Sequence, residues 1–265
     1  MNCRTRHFLW MLKQDTQPLG LRRCLLGWIL AVAVRLAAPF PMFAQTAAVP
    51  GSVPDLSGIW LLAGGMNEWE TRGRRFRPED PPLQPGALEQ FKANRAGLAP
   101  GYDGGLDAMD PNTYCFPPGA ARGMLMPYPF EIVVRPDQVY ILFEYGSGIR
   151  RIYTDGRRRP DDVLPTWMGY SAGRWDGDTL AVETDSLRPE TWLDRIGTPH
   201  SDVLRMAERF RRVNNSVLEV EFRFEDPKAF TMAWGGKKLY EPHFEITEYI
   251  LCEEHLEMGR IRGAN

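Results

Sequence analysis

The chain has 265 residues, 32 of them basic and 34 acidic, with four cysteines and eight tryptophans. Its first 44 residues read as a secretory signal, and the 221 that follow carry 26 basic and 33 acidic side chains, a net charge of −7. That length suits one domain with a sizeable core, and that charge excludes a general nucleic-acid or anionic-membrane surface.

The signal is predicted from Arg4, Arg6, Lys13, Arg22 and Arg23 ahead of an apolar run from Cys24 to Ala44 that ends in small residues, with cleavage after Ala44. Arg35 interrupts the apolar run, so no stable membrane span is expected once the signal is removed, and the protein is expected in the periplasm or secreted. An uncleaved N-terminal anchor is the alternative. Export leaves Cys115 and Cys252 as the only cysteines in an oxidising compartment, which predicts a disulfide between them. The loop it closes is well over a hundred residues long, for which the chain-entropy model gives roughly 4 to 5 kcal/mol.

Residues 45–129 are expected to hold the first strand and a proline-rich segment that wraps the domain formed with residues 130–265. The strand lies in Asp55-Leu-Ser-Gly-Ile-Trp60, behind Pro54. Between Arg72 and Pro129 one short helix is predicted, from Ala87 to Arg95, among nine prolines that hold the rest extended. From Phe130 onward, strands are predicted at roughly ten-residue spacing: 130–134, 139–145, 149–154, 170–175, 179–184, 204–213, 217–225, 230–234 and 244–251. Asp176-Gly177 supplies the positive φ of a tight hairpin turn. Leu218, Val220, Phe222 and Phe224 alternate with Glu219, Glu221, Arg223 and Glu225, the mark of a half-buried strand. The fold class expected is all-β, an antiparallel meander closing into a lipocalin-like barrel, because closure removes the exposed edges that so many strands would present.

The blocks Pro54-Asp-Leu-Ser-Gly-Ile-Trp60, Pro127-Tyr-Pro-Phe-Glu-Ile132, Ile152-Tyr-Thr-Asp-Gly-Arg157, Gly173-Arg-Trp-Asp-Gly-Asp-Thr-Leu180 and Glu208-Arg-Phe-Arg-Arg212 resemble a family of uncharacterised secreted bacterial proteins. The resemblance spans most of residues 54–254 and implies export, but brings no activity with it. Gly58-Ile59-Trp60 is similar to the Gly-x-Trp that opens lipocalin barrels.

Gly169-Tyr-Ser-Ala-Gly173, with Asp194 and His200 behind it, fits the letter of a hydrolase nucleophile elbow. That elbow needs a strand-to-helix turn, and here a β-hairpin follows, so it is rejected. His200, in the loop from Asp185 to Ser201, is the best acid-base candidate, with Glu144 as a second and Arg151 to hold developing negative charge. Charges on barrel strands need partners, and Glu144 with Arg151 and Glu208 with Arg209 or Arg211 are the expected pairs. Trp167, Trp175, Tyr153, Arg209 and Glu208 are the expected ligand contacts. No metal site or cofactor is expected, since no HxH, HxxxH or HExxH spacing occurs.

Two functions from different classes follow. One is an exported barrel that binds a small amphipathic or apolar molecule in a tryptophan-lined pocket under the 185–201 loop. The other is a lyase, isomerase or hydrolase working in the same cavity, and a barrel filled by its own side chains would leave a structural or interaction protein.

Overall fold

The computed structural model describes residues 54–64, 74–96 and 110–248, which fall within one compact unit spanning residues 49–265. Nine strands close into a barrel in chain order: β1 (Gly58–Leu62), β2 (Phe130–Val134), β3 (Gln138–Phe143), β4 (Ile149–Tyr153), β5 (Tyr170–Asp176), β6 (Thr179–Asp185), β7 (Arg205–Asn214), β8 (Val217–Glu225) and β9 (Trp234–Pro242). Every neighbouring pair is antiparallel except β4 and β5, which run parallel and share only Ile152↔Ser171 and Tyr153↔Ala172. That seam is the weakest point of the ladder.

The inward positions follow from the period of two along each strand. Leu218, Val220, Phe222 and Phe224 are buried while Glu221, Arg223 and Glu225 face water, as the alternation requires. Gly177, at φ 62, turns β5 into β6 with Asp176 opposite Thr179. The tight β2–β3, β5–β6 and β7–β8 turns all lie at one end of the barrel. There Trp60 donates its indole N–H to the Leu56 carbonyl at 3.2 Å, and Arg212 stands 5.3 Å over its ring while bonding the Asp55 carbonyl.

The other end is shut by chain expected from sequence to be a wrapper and a loop. Phe76 lies against Phe222, Phe224 and Trp234, with ring centroids 4.7 to 6.3 Å away. Helix α1 (Pro85–Ala96) buries Phe91 and Asn94, and the short α2 (Gly119–Gly123) is buried throughout. Leu187, Leu193 and Leu204, from the segment between β6 and β7, join the same apolar core.

The last two predicted strands, 230–234 and 244–251, are not formed as expected: one strand, Trp234–Pro242, takes their place, and residues 249–251 lie outside the described residues. Gly235-Gly236 and Lys237-Lys238 gave this segment a weak strand pattern. The glycines are there for close approach: a Cβ on Gly235 would stand 1.8 Å from the Phe222 carbonyl oxygen, and one on Gly236 2.0 Å from that of Phe76. The backbone, rather than side-chain propensity, makes this strand.

Candidate functional site

Inside the wall, the parallel seam is bridged by one side chain. Arg150 is fully buried, and from β4 its guanidinium reaches Ser171 Oγ on β5 at 3.2 Å, Thr184 Oγ1 on β6 at 2.8 Å and Glu208 on β7. The contact with Glu208 is two-pronged, through Oε1 at 2.8 Å and a second close bond to Oε2. Ser171 and Thr184 also bond each other at 2.9 Å. A guanidinium so placed satisfies its neighbours with fixed fork geometry, which is how a charge is tolerated in a dry interior. Tyr240, on β9, donates its hydroxyl to the Met124 carbonyl, and burial together with the Glu208 charge pushes its pKa well above the usual phenol value. Apolar side chains surround this network, among them Ile141, Ile152, Val182, Phe210 and Phe222.

A second buried cluster holds the closed end. Asp110 takes two bonds from Arg122 and one from Arg195, each 2.7 Å. Burial alone would raise its pKa, but the bonds and charges of Arg122 with the charge of Arg195 hold it below the ordinary value. Asp194 accepts from the Ile196 and Thr198 backbone amides and the Thr198 hydroxyl, yet burial lifts its pKa to about 6. Asn94 of α1 bonds the Gly197 carbonyl, and the Arg195 amide bonds that of Arg74. The 186–204 segment is thereby bolted to three distant stretches of chain.

The candidate residues from sequence fall into separate places. His200 is buried, with Nε2 against Thr191 Oγ1 at 2.9 Å and Nδ1 against the Ser201 carbonyl at 3.0 Å, and burial lowers its pKa. Glu144 pairs not with Arg151 but with Thr247, accepting its backbone N–H at 2.7 Å and its hydroxyl at 3.0 Å, because Arg151 stands on the outer face of β4. Glu208 pairs with Arg150 rather than Arg209 or Arg211, since strand alternation turns 208 inward and 209 and 211 outward. Arg209 meets Asp176 and Arg211 meets Glu219 on the outer surface. Trp167 sits in the connection before β5, between Phe116 and Arg188, while Trp175 packs on the core beside Leu180. Ser171, Asp194 and His200, the discarded triad, have no shared partner.

Only Arg151 and Tyr153, two apart on the outer face of β4, are brought together. Arg151 stands 5.4 Å over the Tyr140 ring, and its contacts with the Tyr153 and Tyr140 phenols raise its pKa. Beyond Tyr153 the crossover to β5 is stapled to the wall: Arg157 lies 4.1 Å over the Tyr153 ring, and Arg159 bonds Asp185 and Ser186. On the other side of Arg151 an open groove of about 490 Å³ runs along the β2–β3 hairpin, lined by Val133, Arg135, Pro136, Asp137, Gln138, Tyr140 and Leu142. Sequence reasoning missed Arg135 and Tyr140. The signal available was the alternation Gln138, Tyr140, Leu142 against Val139, Ile141, Phe143, which places a half-apolar face outward.

Among the described residues no group of three His, Cys, Asp or Glu side chains is placed to hold a metal ion, and no helix is long and apolar enough to cross a membrane. Neither the scan against protein-family models nor the search of curated proteins returns a match, so this barrel is read from its own residues.

Proposed function

We propose that the protein is an exported barrel that binds a small amphipathic molecule, and that the molecule lies in the groove on the outer wall rather than inside the barrel. The groove itself carries this reading: its volume of about 490 Å³ falls in the range of small-molecule sites, and Val133, Tyr140 and Leu142 make an apolar floor beside polar Arg135 and Gln138. The interior is packed with apolar side chains, among them Ile132, Ile141, Ile152, Val182, Phe210 and Phe222. Binding is favoured over catalysis because the acid-base candidates do not converge: His200 is engaged at the closed end, Glu144 holds the C-terminal segment, and Arg151 faces out.

Native mass spectrometry of the protein purified from its own periplasm is the test. Retained ligand that disappears on Leu142→Glu, with the circular dichroism spectrum unchanged, is the expected result. A retained ligand indifferent to that substitution overturns the outer site.

The disulfide of Cys115 with Cys252 belongs to the same proposal, although Cys252 and the signal lie outside the described residues. Thr247 is anchored on Glu144, and Asn112 bonds the hydroxyl of the next residue, Tyr145. The five residues from Thr247 to Cys252 reach roughly 17 Å when extended, enough to meet a chain leaving the same corner. Denatured, unreduced protein is expected to show no free thiol, and two titratable thiols would remove the bridge.

A further inference from the structure

Arg135 lines the groove and is exposed, and no carboxylate lies within ion-pair distance of it among the described residues. Arg151, opposite Tyr140 in the β3–β4 register, is also exposed, and its charge is met only by phenol groups. Among the described residues exposed Arg174 on β5 and Arg205 on β7 likewise make no ion pair, but neither lines the groove. Arg157, Arg158, Arg159, Arg188, Arg209, Arg211 and Arg223 each hold an Asp or Glu. Asp137 is the single acid lining the groove, and no ion pair engages it among the described residues. Glu131, the register partner of Leu142, stands on the same outer face at the far end of β2 from Arg135, and neither acid is in an ion pair with either guanidinium among the described residues. Beyond Leu142 the apolar strip continues to Ile149, its register partner on β4, which is 62 % exposed.

An apolar floor with uncompensated guanidiniums at its edge has the form of a receptor for one kind of molecule, an apolar body ending in an anionic head. Guanidinium is suited to a carboxylate because its N–H groups match the two oxygens in a fork, and the Tyr140 ring beneath Arg151 keeps that fork oriented without neutralising it. Resting on the proposed outer-wall binding site, we infer that its ligand is a monomeric amphipathic carboxylate, with the head on Arg135 and Arg151 and the apolar body on Tyr140, Leu142 and Val133.

The test compares dodecanoate, dodecanol and dodecyltrimethylammonium by equilibrium dialysis against the mature protein below their micelle concentrations. Dodecanoate is expected to bind at least tenfold tighter than dodecanol, and the cation not at all. Arg151→Gln and Arg135→Gln are each expected to bring dodecanoate down toward dodecanol, and raised salt to weaken the parent only. Arg209→Gln, on an exposed pair away from the groove, is expected to change nothing. Equal binding of acid and alcohol, with both lost on Leu142→Glu, would overturn the head-group assignment and leave the groove standing. No binding of any probe, or binding that survives Leu142→Glu, would overturn the outer-wall site and this inference with it.

Discussion

Arg150 and Arg151 are consecutive in the chain and face opposite sides of one strand. Arg150 is fully buried, and its network joins β4, β5, β6 and β7 where the backbone ladder has only two residue pairs. Arg151 is exposed and touches aromatic rings. The same side chain is a structural tie inside the wall and an available cation outside it, and the half-turn of a strand per residue decides which. Chemistry on this barrel is therefore sorted by face. Charges inside neutralise one another; outside, Arg209, Arg211 and Arg223 form surface pairs, and Arg135 and Arg151 beside the groove do not.

The comparison is broken most severely by removing one partner inside. Glu208→Ala leaves the Arg150 guanidinium buried with two hydroxyls, and breaking a buried pair in this way costs about 3 to 5 kcal/mol. Urea unfolding of the variant should show that loss. Replacing both, Arg150→Met with Glu208→Leu, should recover most of it, since well-packed apolar residues often match a buried ion pair. A single variant as stable as the parent would mean the seam does not depend on this network. Phe222→Ala, in the apolar half of the same interior, should also cost about 3 to 5 kcal/mol.

The closed end gives a third environment, where a carboxylate is buried without an adjacent cation bonded to it. Burial raises Asp194 from 3.8 to about 6, so folding takes up a proton between those values. Its contribution is fully present below about pH 4 and is lost as the pH rises through 6. A rise of that size corresponds to about 3 kcal/mol. Asp194→Asn should therefore gain on the parent by about that amount between pH 4 and pH 7.5, measured as the difference in unfolding free energy. His200 works the other way: its lowered pKa means that the unfolded chain protonates first, so that stability falls as the pH drops below 6.5. It is common to both proteins and cancels in the difference. A flat difference across that range would mean that Asp194 is not desolvated.

Much of the barrel was legible in the sequence because period-two patterning and turn chemistry are local. Strands 130–134 and 217–225 have the bounds predicted from strand spacing and, for the second, alternation, and the Asp176-Gly177 turn lies where its glycine requires it. What was not legible depended on partners far along the chain. Trp234–Pro242 is a strand because Phe222 and Phe76 approach its glycines, and no pattern within the segment carries that information. The candidate site failed for a related reason. Glu208 was assigned to arginines close to it in sequence, whereas the inward parity of residues 150, 171, 184 and 208 selects Arg150, which is 58 residues away. Alternation gives the face of each residue, but strand order is needed before two inward charges can be matched.

The smallest effect is expected where the comparison predicts that charge matters least. Arg209 and Asp176 form an ion pair of 3.1 Å on the outer surface, with both side chains about half exposed. Water screens such a pair, and holding two flexible side chains together costs entropy, so exposed pairs are typically worth about 0.2 to 1 kcal/mol. A double-mutant cycle with Arg209→Ala and Asp176→Ala should return a coupling in that range at low salt, vanishing near 1 M salt, where the screening length falls to about 3 Å. The Arg150 and Glu208 cycle, run in parallel, should keep its coupling at high salt because neither group meets solvent. If both cycles lost their coupling with salt, water would be reaching the barrel interior, and the division between inner and outer arginines would no longer account for the fold.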